Sequence, residues 1–246
     1  MLRSLENLLG YQIAATDGLM GTVADFLFLD DTWKIRYLGV DAGSWLHLRH
    51  VLLSTSVVRE VVDSSRQVRV NLTKEAVYTS PDIESDKPVT RQKETLLASH
   101  YGWKPYWTPD PFLGVDLPTE RLDIAEELPG SNPHLRSFRE VTNYTMEGAE
   151  PFGFITDAIV QEEPDWQVVG LVASPTRGRK KDSVLAAPQR VHEIDWTHRI
   201  MRITDDPPPL AFDPKAPVNA RRIVRYYDYL GRLHHSTPLP ESEERK

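Results

Sequence analysis

The chain contains no cysteine. That removes disulfides, thiolate metal sites and thiol nucleophiles together, and it fits a reducing compartment. Long apolar runs are also missing: no stretch approaches the roughly 20 apolar residues of a helical membrane span. Met1-Leu2-Arg3-Ser4-Leu5-Glu6 has no basic start followed by an extended apolar core, so no signal peptide is expected. Nor is there an excess of positive charge. The 29 Lys and Arg face 36 Asp and Glu, a net charge of −7, which argues against a global nucleic-acid coat and leaves room only for a local basic patch. Catalytic signatures are lacking too: no Gly-x-Ser-x-Gly, no P-loop and no dinucleotide fingerprint. The histidine pairs His47/His50, His192/His198 and His234/His235 have neither i, i+4 spacing nor a third ligand. No catalytic residue, metal or cofactor is therefore expected, and the chain does not read as an enzyme.

What is present is β-strand pattern. With 246 residues, 40% of them hydrophobic, the chain can form one large or two small domains. Asp17-Gly18 is a turn signal, because glycine takes a positive φ without a Cβ clash. Thr22 to Leu29 is rich in β-branched and aromatic residues and reads as a strand. Asp30-Asp31 ends it, and Trp33 to Val40 reads as its hairpin partner. Val51-Leu52-Leu53, Val57 to Val61, and Val68 to Leu72 supply further short strands. Such strands at regular spacing suggest a small barrel or sandwich.

The pattern then returns. Tyr11, Gly21, Asp25, Trp33, Leu38, Val51, Leu52, Val58, Glu60 and Arg69 find counterparts in Tyr144, Gly153, Asp157, Trp166, Leu171, Val184, Leu185, Val191, Glu193 and Arg202, always 132 or 133 positions on. So many pairs in one register indicate duplication of a whole domain, since the period is far too long for a solenoid unit. The duplication admits either a pseudo-two-fold monomer or a homodimer. Asp25 and Asp157 recur just after the hairpin glycine, where a turn or strand role accounts for them.

These residues carry a family resemblance. Leu-Leu-Gly-Tyr at 8–11, Asp-Gly at 17–18, Gly-Thr-Val-Ala-Asp-Phe-Leu-Phe at 21–28, Trp-Lys-Ile-Arg-Tyr-Leu-Gly-Val-Asp at 33–41 and Val-Leu-Leu-Ser at 51–54 resemble the PRC-barrel family. That family is named for the H subunit of the photosynthetic reaction centre and includes the C-terminal domain of the ribosome-maturation factor RimM. The resemblance implies a mainly β chain of two small PRC-barrel-like domains in tandem. The first copy takes 1–78 and the second 135–206, with a partly helical, proline- and aromatic-rich linker at 79–134 and a proline-rich tail at 207–246. It implies a non-enzymatic protein-binding or adaptor role, on a photosynthetic or electron-transfer assembly. The alternative is a RimM-like role in RNA or ribosome assembly. A cytoplasmic location follows, peripheral to a membrane complex.

The linker holds eight prolines but also Tyr101, Trp103, Tyr106, Trp107 and Phe112, which are too apolar to leave in water. Thr73 caps a short helix ended by Ser80-Pro81. Thr90 to Tyr101 reads as a second helix, with Lys93 and Glu94 outward and Leu96, Leu97 and Tyr101 inward, stopped by Gly102. Its expected role is to brace the two domains. The lead-in at 2–10 reads as one helical turn or an entering strand.

Three stretches are candidate partner-binding sites. Arg177, Arg179, Lys180 and Lys181 put four cations into one strand connection; they suit a phosphate backbone or an acidic protein face, or form a solvated loop. Arg221, Arg222 and Arg225 interleave with Tyr226, Tyr227 and Tyr229, which suits either base stacking or an amphipathic edge strand. Trp45, in the loop 43–50, is either an interface residue or a ring folded over the domain's mouth.

Overall fold

The structure, a computed structural model, describes residues 1–42, 50–81, 89, 91–105, 135–148, 151–175, 183–204 and 210–212. Its elements in chain order are β1 (Leu2–Ser4), α1 (Leu5–Leu8), β2 (Gln12–Ala15), β3 (Gly18–Leu29), β4 (Ile35–Asp41), β5 (His50–Ser54), β6 (Val58–Val62), β7 (Gln67–Val70), α2 (Lys74–Tyr78) and α3 (Arg91–Tyr101). There follow β8 (Leu135–Ser137), α4 (Phe138–Val141), β9 (Thr145–Glu147), β10 (Pro151–Gln161), β11 (Gln167–Ser174), β12 (Ser183–Ala186), β13 (Val191–Asp195), β14 (Ile200–Ile203) and β15 (Leu210–Phe212). The chain is mainly β, as its strand pattern predicts.

The strands form two separate sheets. One runs β5-β4-β3-β2-β7-β6, and β8 pairs with β3. The other runs β13-β14-β9-β10-β11-β12-β15, and β1 pairs with β10. Apart from β15 the two orders are the same, and each contains one parallel pair, β2 with β7 and β9 with β14. Two compact units result: Leu8–Arg139, and Met1–Asn7 together with the chain from Glu140. The units therefore differ from the sequence repeats by their lead-ins, β1 and β8, each of which belongs to the sheet of the other repeat.

In the unit Leu8–Arg139, one face of the sheet buries Ile13, Val23, Phe26, Ile35, Leu38, Val51, Leu53 and Val68. Val68 and Val70 on β7 alternate with exposed Arg69, the period of two that puts every second side chain inward. β4 is buried along nearly its whole length, because its other face is covered as well. There Leu29, Tyr37, Leu52 and Leu135 pack with Val89 and with Leu97 of α3, and Tyr101 and Trp103 close the edge as a stacked pair 4.3 Å apart.

Helix α3 departs from its expected orientation at two positions. Leu97 and Tyr101 face inward as expected, but Glu94 is 0% exposed and Leu96 is 57% exposed, the reverse of what spacing predicts at those two positions. The Tyr37 hydroxyl donates to Glu94 Oε1 at 3.1 Å, so the carboxylate is drawn inward by a partner on β4. Helical spacing alone cannot register such a partner. The helix ends as expected: Gly102 has φ +67°, and the N–H of Trp103 donates to the carbonyl of Ala98 at 2.8 Å. Thr73 caps α2 through its side chain, which accepts from the N–H of Ala76. Trp33 also lies outside its expected strand. It takes φ +58° and donates to the carbonyl of Leu29 at 2.7 Å, which makes it part of the hairpin turn. Its ring stacks on Phe28. Trp166 repeats the conformation at φ +52° and donates to Glu162.

In the other unit, Tyr144, Met146, Ile155, Val168, Leu185, Met201 and Ile203 are buried, and Ile159, Val169, Val172 and Leu185 form a cluster with Leu2 of β1.

The hairpin glycines are required by both torsion and space. Gly21 has φ +138° and Gly153 has φ +105°; a Cβ would collide with the carbonyl of Asp41 at the first and of Ser174 at the second. Gly10 also has a positive φ, +75°, but open space around it. Gly21→Ala and Gly153→Ala should therefore each cost about 2–3 kcal/mol of stability, and Gly10→Ala about 1 kcal/mol, in urea unfolding.

Candidate functional site

Asp25 and Asp157 are the best-built polar features of the described residues. Each sits just after a register shift in its strand: β3 slips against β4 between Val23 and Asp25, and β10 slips against β11 between Ile155 and Asp157. A bulge re-aims the side chain beside it. Here it turns the carboxylate toward the lead-in strand.

At Asp25, Oδ2 accepts from Ser137 Oγ at 2.5 Å, and Oδ1 accepts from the N–H groups of Arg139 at 3.0 Å and Phe26 at 2.8 Å. Asp157, only 4% exposed, repeats the set. Its Oδ2 accepts from Ser4 Oγ at 2.5 Å, and its Oδ1 from the N–H groups of Glu6 at 3.0 Å and Ala158 at 2.7 Å. A second acid five residues on completes each set. Arg136 Nε donates to Asp30 at 2.9 Å, and Arg3 Nε to Glu162 at 2.6 Å. Both lead-ins pair antiparallel, Leu135, Arg136 and Ser137 with Leu29, Phe28 and Leu27, and Leu2, Arg3 and Ser4 with Gln161, Val160 and Ile159. The carboxylates thus have the strand role expected for them, and the partners they hold, Arg3, Ser4, Arg136 and Ser137, went unnoticed in the sequence. The signal was there: Leu-Arg-Ser stands at 2–4 and again at 135–137, 133 positions on.

A different kind of feature lies on α2 and α3. His100 Nε2 donates to the carbonyl of Ala76 at 2.8 Å and ties the two helices together. Leu96, one turn before His100 on the same helical face, and Tyr78 of α2 are 57% and 49% exposed. Large apolar side chains set in solvent on neighbouring elements are the usual material of a contact surface.

The candidates read from sequence, Arg177, Arg179, Lys180 and Lys181, Trp45, and Arg221, Arg222 and Arg225, lie outside the described residues. Of the histidines, His198 is held by Asp195, with its Nδ1 2.7 Å from Oδ2 and its N–H donating to Oδ1. These bonds hold the Asp195 carboxyl below its ordinary range. No helix among the described residues is long and apolar enough to cross a membrane.

No family model matches the chain. An uncharacterized protein of Deinococcus radiodurans is 31% identical over 119 residues, covering 44% of this chain and 41% of that protein. The chain thus spans about two fifths of the length of the relative it matches.

Burial pushes the Asp25 carboxyl above its ordinary value of 3.8, against the pull of the hydrogen bonds from Ser137, Arg139 and Phe26. The folded chain then keeps a proton that the unfolded chain has already released. This group's contribution to stability is highest below the unfolded value and falls as pH rises toward the folded one, then levels. Asp25→Asn removes the titration while keeping an acceptor for the backbone and a donor for Ser137 Oγ. The Asn variant should gain on the parent as pH climbs through that window, read as urea midpoints across a pH series. A gap that stays constant with pH would rule the effect out.

Proposed function

We propose that the protein is a non-enzymatic binding or adaptor protein of the PRC-barrel type, its two sheets each forming a small barrel-like domain. The matching strand orders support this reading, as do the repeated residues at Tyr11, Gly21, Asp25 and Trp33 and their counterparts. The observation that carries it is the exposed pair Leu96 and Tyr78 on two helices fastened to each other. The half-buried Asp25 and the buried Asp157 and Glu94 are engaged in holding strands and a helix, so the surface is where this fold has chemistry to offer. The partner class is a protein, and the resemblance points to a membrane-associated electron-transfer or photosynthetic assembly, approached from the cytoplasm.

The test is capture of partners by the full chain from its host's lysate, divided into nuclease-treated and untreated halves. A protein recovered from both halves is expected. Leu96→Asp combined with Tyr78→Ser should weaken its binding at least ~10-fold, about 1.4 kcal/mol, in titration with the purified partner. Recovery only without nuclease would favour the RNA or ribosome-assembly role instead. Unchanged affinity in the double variant would remove the α2–α3 surface.

A further inference from the structure

We propose that the edge of β10 beside Asp157 and Glu162 is a docking site for a Leu-Arg-Ser strand, and that its partner beyond this chain's own lead-in is the lead-in of a second copy. Three contacts read the strand. Glu162 takes the arginine, one oxygen of Asp157 takes the serine hydroxyl, and its other oxygen takes the N–H two residues further on. The backbone of Ile159 to Gln161 pairs with it. This is strand addition to a sheet, with main-chain bonds for affinity and side-chain positions for selection.

The identity of the partner follows from the chain's own use of the same chemistry. The site beside Asp25 and Asp30 holds Leu135-Arg136-Ser137 by the same three contacts. The two strands carry one tripeptide and the two sites carry one pattern of acids, so neither site has a feature among these contacts that tells one source of the strand from another. What keeps β1 at its site in a single chain is the high effective concentration that covalent linkage provides. At high protein concentration, or after partial unfolding frees β1, the lead-in of a second copy competes on equal chemical terms. Reciprocal exchange of an identical element between copies is a low-cost route to a dimer.

Charge reversal on full-length chains tests this. Arg3→Glu places an acid against Glu162; Glu162→Arg places a base against Arg3. Each variant alone has a like-charge clash, but a strand-exchanged pair of the two satisfies both contacts at once. The variants are refolded separately and together from urea, then sized by native mass spectrometry. A mixed species of twice the chain mass, at least ~10-fold more abundant than either self-dimer, is expected. The chain carrying both changes should fold as a monomer, which shows that the reversed pair is tolerated. If that chain folds and no mixed species forms, the proposal fails. If it does not fold, a peptide of residues 1–9 labelled at its C-terminus decides by titration into full-length Arg3→Glu. Saturable binding that Asp157→Ala reduces at least ~10-fold upholds the site, and absence of binding overturns it.

Discussion

A carboxylate withdrawn from water must be given donors, and much of this structure follows from that demand at Asp25 and Asp157. Each is turned inward by a bulge, each accepts three hydrogen bonds, and in each case two of the three come from the lead-in of the other repeat. An unmet acceptor in such a place costs more than a made bond returns. The exchange of short strands is thus the condition on which these two acids can be buried at all. A three-residue strand contributes little by itself. The serine, the arginine and the helical turn that follows give β1 and β8 their hold.

The long strands, the Thr73 cap and the Gly102 stop were legible, because each is dictated by residues close in sequence: β-branched runs, a side-chain acceptor at a helix start, a residue without Cβ at its end. The recurrence of Gly21 as Gly153 was equally visible, and its cause is a backbone carbonyl lying where a Cβ would be. Features decided by distant partners were not. Glu94 faces inward because Tyr37 stands across from it, 57 positions away. Trp33 belongs to a turn although aromatic residues favour strands, since its N–H is needed by the carbonyl of Leu29. The lead-in at 2–10 reads as a helical turn or an entering strand and is both, β1 then α1, but nothing local ties its Leu-Arg-Ser to the copy at 135–137 or to a strand more than 100 positions away. At the candidate site the contrast is sharper. Exposure of Leu96 is a consequence of the inward turn of Glu94, and no reading of helix spacing in isolation yields it.

The two outer surfaces of the Leu8–Arg139 sheet have different characters. One face is an aliphatic core of ordinary kind. The other is closed by an aromatic stack and a helix that carries a buried acid, and that helix sets Leu96 in solvent. A cover of that kind does two jobs at once. Val89 and Leu97 exclude water from β4, while the far side of the same helix presents Leu96 to solvent and ties to α2 through His100.

The reciprocal lead-ins also bear on the order in which the molecule can be made. Synthesis runs from the first residue onward, and domains generally fold as they emerge. Ser4 is made 153 positions ahead of Asp157, the acid that holds it. Asp25 likewise waits for Ser137, 112 positions downstream. The first sheet is therefore left one strand short until the second repeat begins to appear. Strand β1 stays unpaired until Ile159 to Gln161 have been made. A nascent chain of this design carries an unpaired sheet edge and an unpaired lead-in through more than a hundred positions of synthesis, which makes translation itself the stage at which its assembly is most exposed to error.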